Sequence, residues 1–210
     1  MKIKLRISIL LFAILFQVVS CSNEKVIPYD DLRLKLSKIR EADQSIRESY
    51  LSATPKEIPA IIKSMDSIDK ANKKDVLNIL ENYGWIKQSK IGEDAADALF
   101  LVVQHSDLKT MKKYFPQLKD LANKHEAKKT YAAMMEDRIL MDEGEKQIYG
   151  TQAVSGLRET KELIVIWPIL DPKNVNKRRT KMGFTTAVEE NALRLNALYN
   201  PKETLPKKQN

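Results

Sequence analysis

Four stretches of the chain put polar or charged residues where the apolar spacing around them calls for core: Asp43, Asp69 with Asn72, Gln104 with His105, and Asp137 with Arg138. If these side chains converge, they make a site for proton transfer and anion binding. His105 is the natural acid–base group, because an unperturbed imidazole titrates near neutral pH. A nearby aspartate would orient the ring, Arg138 would hold an anionic group, and Tyr149 or Gln152 would read a polar substrate. Arg47 follows Asp43 by four residues, within ion-pair reach on a helix, and Gln44 is its direct neighbour. The rival reading is architectural. Charges in a core cost several kcal/mol each before pairing. Asp43–Arg47 and Asp137–Arg138 could therefore form an internal network that fixes helix register, with His105 donating to a backbone carbonyl and Gln152 satisfying strand ends. At this level both readings stand.

Other chemistries have less to draw on. There is no Gly-x-Ser-x-Gly elbow and no phosphate-cradling glycine loop. Asp43, Asp69 and Asp137 could supply a carboxylate pair for glycoside hydrolysis, and Asp69 and Asn72 with a further acid could meet a hard cation. Cys21 is the only cysteine, and His105 and His125 are the only histidines. A dedicated metal centre or a bound cofactor is therefore not expected, and no residue is assigned a catalytic role.

The elements that must position these residues are mostly helical. Leu32, Leu36, Ile39, Ile46 and Tyr50 alternate at spacings of four and three once Asp43 is included. Thr54-Pro55 breaks this helix. Ile58, Ile62, Met65, Val76, Ile79 and Tyr83 repeat the pattern, with Asp69 and Asn72 in the gaps, until Gly84 supplies a cap. Residues 92–105 become apolar all round, which predicts a central helix delivering Gln104 and His105 near the middle of the protein. A helix over residues 107–124 carries Leu108, Met111, Phe115, Leu118 and Ala122 and should kink or split at Pro116. Another over residues 126–145 shows Ala127, Tyr131, Met134 and Met141, with Asp137 and Arg138 mid-face.

After Gly144 the composition turns to β-branched and aromatic residues. Residues 148–154 and 163–167 read as a hairpin around a turn containing Gly156. A basic helical turn over residues 176–182 ends at Gly183, and a capping box at Thr186 and Glu189 opens a last helix running to Tyr199. The fold class is mainly α, a multi-helix bundle with a small β-hairpin near residues 147–168. The expected organisation is a signal segment over 1–20, a tether over 21–30, one helical domain over 31–200 and a disordered basic tail over 201–210.

The N-terminus carries the targeting information. Lys2, Lys4 and Arg6 precede an apolar run over residues 7–19, and Val18-Val19-Ser20-Cys21 closes it. The run is about 13 residues, short of the roughly 20 needed to span a membrane as a helix, which argues against an uncleaved anchor. The closing tetrapeptide resembles the lipobox of bacterial lipoproteins. That resemblance implies cleavage before Cys21, acylation of its thiol and amino group, and firm anchoring by several acyl chains. Ser22 rather than Asp at the next position implies the outer membrane. Without residues 1–20 the basic count falls from 36 by three to 33 against 28 acids, net +5 over 190 residues. This suits one domain with a real core and contact with an acidic envelope surface; nucleic acid is not an expected partner.

Taken in chain order, Asp43-Gln44 with Arg47, Asp69 with Asn72, Tyr83-Gly84-Trp85, Gln104-His105, Asp137-Arg138, Gln147-x-Tyr149-Gly150-Thr151-Gln152, and Asp171 followed by Arg178-Arg179 and Gly183 resemble the bacterial domain-of-unknown-function family numbered 6624. The resemblance spans residues 32–190, and residues 147–152 are its most distinctive part. Ile86 departs from the proline usual after the Gly-Trp pair. The family implies a shared fold and no activity. Two functions are thus expected: a lipid-anchored envelope domain that holds a ligand or protein partner, or a hydrolase-like enzyme centred on His105.

Overall fold

The computed structural model describes residues 26–157 and 163–206; residues 1–25, which hold the expected signal segment and Cys21, and residues 158–162 and 207–210 lie outside them. Two long helices, α1 (Tyr29–Ser52) and α2 (Ile58–Tyr83), form an antiparallel pair. A short α3 (Gln88–Ile91) leads into α4 (Glu93–Gln104), which packs against α1, α2, α5 (Leu108–Asn123) and α6 (Lys129–Asp142). The all-round apolar sequence of α4 explains its place. Ala95, Ala98, Leu99, Phe100 and Val103 are sealed from solvent on several sides of one helix.

The main core lies among α1–α6, and Phe100 stacks flat on Tyr131 with ring centres 3.9 Å apart. A second, smaller core of Ile166, Ile169, Val175, Val188 and Ala192 sits in the C-terminal part. There β1 (Ala153–Ser155) pairs antiparallel with β2 (Ile164–Ile166), followed by a 3-10 turn (Pro172–Asn174), α7 (Val175–Lys181) and α8 (Val188–Arg194).

The mainly α class with a small hairpin stands, and several local expectations are corrected. The hairpin strands are three residues long, and residues 148–152 form no strand, because the backbone groups from Ile148 to Thr151 bond mostly to side chains as described below, while Gln147 makes only an isolated backbone bridge with Ile169. Pro116 does not split the helix: α5 runs through it, with Lys112 and Pro116 both on the exposed face. The bond that proline removes is there replaceable by water.

The stripes on α1 and α2 fade where the two helices outrun the bundle, leaving Tyr50 40 % and Ile62 46 % exposed. Helix α6 starts at Lys129, later than expected, after a turn in which His125 takes a positive φ of 59°. Helix α8 ends at Arg194, not Tyr199. Its capping acid is Glu190, which accepts from Ala187 N; the Thr186 hydroxyl instead receives Arg179. Val26 to Pro28 make a short extended lead-in, and Ile27 already packs on the main core.

Candidate functional site

The polar residues singled out from the sequence separate into two groups on different sides of α6. Adjacent residues on a helix point about 100° apart, so Asp137 and Arg138 serve different surroundings and do not pair with each other. The expected Asp137–Arg138 network is thereby replaced by two distinct arrangements.

The first is a cleft where α1, α2, the end of α4 and α6 meet. Asp43 is 1 % exposed. It accepts from Gln44 Nε2 at 2.7 Å, Arg47 Nε at 3.2 Å and Arg47 Nη2 at 3.0 Å. Arg47 Nη2 also reaches Asp69 Oδ1 at 3.0 Å, tying α1 to α2. Burial pushes the Asp43 carboxyl up, but His105, Arg47 and Gln44 together outweigh it and hold the group below the usual carboxylate value.

His105 Nδ1 lies 2.8 Å from Arg47 Nη2 and 3.7 Å from Asp43 Oδ1, so only the first contact has hydrogen-bond length. A guanidinium can only donate. Nδ1 is therefore the acceptor, and the neutral ring carries its proton on Nε2. The His105 side chain is 30 % exposed, so this Nε2–H is within reach of solvent or a ligand.

Two adjoining hollows open here and share Asp69, His105 and Ser106. One of about 280 Å³ is also lined by Arg47, Gln104, Arg138 and Asp142; the other, about 100 Å³, by Asp43, Asn72 and Lys73. Three buried polar atoms on these walls have no hydrogen-bond partner among the described residues: Asn72 Nδ2, Gln104 Oε1 and Arg138 Nε. An unmade bond at a buried group costs about 1–3 kcal/mol, so a fold that accumulates three in one place is poised to receive complementary groups. Ser106 offers no free nucleophile, since its hydroxyl donates to Val102 O at 2.8 Å. Asp142 was not singled out from the sequence, although its position four residues after Arg138 places it on the same helix face.

The second group is sealed. Asp137 has no exposed surface. Its carboxylate accepts from Ile148 N at 2.7 Å, Tyr149 N at 3.0 Å, Thr151 N at 3.0 Å and Thr151 Oγ1 at 2.9 Å. Burial pushes the carboxyl up to about 6 even though all these donors favour the charged form.

The carbonyls of the same loop are met from elsewhere. Arg178 Nε donates to Ile148 O, Arg179 Nη1 to Tyr149 O, and Asn191 Nδ2 to Gly150 O. Gln147 closes the loop on itself, receiving Gln152 N and donating to Gln152 O and Trp167 O. Gly150 has φ +69°, and a Cβ there would fall 2.5 Å from Val188 Cγ2. Tyr149 donates to Glu136 at 3.3 Å, with its hydroxyl pushed up to about 12 chiefly by burial, and Gln152 donates to Thr151 Oγ1. Gln147, Arg178, Arg179 and Asn191 take roles here that the sequence does not disclose. Tyr149 and Gln152 thus belong to this node and not to the cleft.

Among the described residues no cluster of three or more His, Cys, Asp or Glu side chains could hold a metal ion, and no helix is long and apolar enough to cross a membrane. No curated protein and no solved structure matches the chain. The profile of the family of unknown function DUF6624 matches residues 30–202, which takes in every element from α1 to α8, the cleft and the Asp137 node, and the chain belongs to that family.

Proposed function

We propose that this protein is a lipid-anchored envelope domain that binds a small polar ligand in the cleft between α1, α2, α4 and α6. The observation that carries the reading is the gathering of Asn72 Nδ2, Gln104 Oε1 and Arg138 Nε, all buried and unpartnered, on the walls of two joined hollows. The anchoring rests on the lipobox-like segment ending at Cys21. An enzyme centred on His105 has less support. Its ring is accessible, but with Nδ1 accepting from Arg47 and Nε2 protonated it offers a donor and no free lone pair for a general base.

The test is an amide-resolved NMR titration of the full chain in detergent micelles with a library of small polar compounds. The reading expects ligands that shift the side-chain signals of Asn72, Gln104 and Arg138 together. A library that leaves all three unmoved, or moves only signals elsewhere, would reject it. Anchoring is checked by mass spectrometry of the membrane-extracted protein: a mature chain beginning at an acylated Cys21 is expected, and an unmodified Met1 terminus would refute it.

A further inference from the structure

The charges lining the larger hollow narrow the ligand class. Arg47 is already committed: its Nε and Nη2 edge is taken by Asp43, and Nη2 also meets Asp69. Arg138 and Asp142 are different. They stand four residues apart on α6 and line the same hollow; burial raises the Asp142 carboxyl and the Arg138 charge opposes this, yet neither makes an ion pair or hydrogen bond with a described residue. A cation and an anion are thus presented side by side, about 6 Å apart at Cβ. Beside them lies the orphan acceptor Gln104 Oε1.

A ligand carrying only negative charge would meet Arg138 but press against Asp142. One carrying only positive charge would meet Asp142 but press against the Arg138 guanidinium. A ligand with both charges on neighbouring atoms satisfies each wall at once. The volume, about 280 Å³, is small for a drug-sized molecule, whose pockets run from roughly 300 to 1,000 Å³.

Resting on the cleft reading above, we infer that the site takes a small zwitterion of the free α-amino-acid class. Its carboxylate is held by the Arg138 guanidinium, which matches a carboxylate's geometry. Its ammonium group is held by Asp142 and Gln104 Oε1. The His105 Nε2–H is left to contact a second oxygen or the side chain.

The experiment is isothermal titration of the full chain in detergent micelles with the free amino acids in both enantiomers. Each binder is then compared with its amide, its N-acetyl derivative and the matching simple carboxylate. At least one amino acid should bind, each blocked form should bind at least tenfold more weakly, and Arg138→Gln and Asp142→Asn should each weaken binding by a similar factor. Equal binding of the blocked forms, or of the simple carboxylate, would overturn the zwitterion assignment, as would binding that neither substitution weakens. If no amino acid binds while other compounds in the NMR titration still shift Gln104 and Arg138, the zwitterion assignment fails and the cleft stands. If nothing shifts them, both fail.

Discussion

Asp43 and Asp137 are equally hidden from solvent, at 1 % and 0 % exposure, yet they anchor regions of opposite character. Asp137 is held by backbone N–H groups and one hydroxyl of a single loop, and that loop's carbonyls are closed by Arg178, Arg179 and Asn191. Asp43 is held by side chains. One of them, Arg47, is shared with Asp69 and His105, and unpartnered atoms line the walls nearby. Burial of a charge does not therefore mark a site. What separates the two regions is whether hydrogen-bonding capacity is used up by fixed backbone or left open on side chains.

The contrast can be broken most forcefully at Asp137. Asp137→Asn and Asp137→Ala should each cost about 3–5 kcal/mol, because several buried donors lose their shared acceptor. For this chain length that is a fall of roughly 6–20 °C in thermal unfolding. The asparagine change is the sharper test, since its NH₂ would face the loop's N–H groups, and near-normal melting of that variant would contradict the account of the node.

Gly150→Ala should follow at about 2–4 kcal/mol. Its Cβ would meet Val188 and Ile169, and the positive φ penalises any side chain. Chemical denaturation would read the loss, and an unchanged midpoint would show that the loop is looser than described.

The pH dependence should split the two acids. Asp137 rises in the fold from an unfolded value near 3.9 to about 6, so the folded state holds its proton more tightly in that window. Its contribution falls as pH rises from about 4 to 6, and the stability gap between wild type and Asp137→Asn should narrow across it. Asp43 is lowered in the fold, so its contribution is present above the usual carboxylate value and lost as pH falls through the lower folded one. The gap between wild type and Asp43→Asn should therefore shrink only in acid. Melting curves from pH 3 to pH 7 would show both gaps changing in the same direction with pH if this division is wrong.

The smallest effect is expected on the cleft wall. Gln104→Leu removes an unpartnered acceptor and should leave stability within about 1 kcal/mol of wild type, or raise it.

Much of this was legible in the chain. The spacing of Leu32, Leu36 and Ile39 through Asp43 located a buried carboxylate correctly, and the polar end of α4 located Gln104 and His105. Periodicity failed on α6 because both Asp137 and its neighbours are enclosed from more than one side, so no single stripe distinguishes the face toward the loop from the face toward the cleft. Residues 147–152 misled for another reason. Their β-branched and aromatic character suits a strand, but the groups from Ile148 to Thr151 find partners on Asp137, Arg178, Arg179 and Asn191, at least eleven residues away, and no local pattern records such bonds.

The central claim is that the cleft residues are held for a ligand and the Asp137 residues for the fold. Thermal unfolding of Gln104→Leu beside Asp137→Asn in the full chain tests it most directly. Gln104→Leu should melt within about 4 °C of wild type or above it while Asp137→Asn falls by roughly 6–20 °C; comparable losses in both would mean that the cleft, too, is architecture.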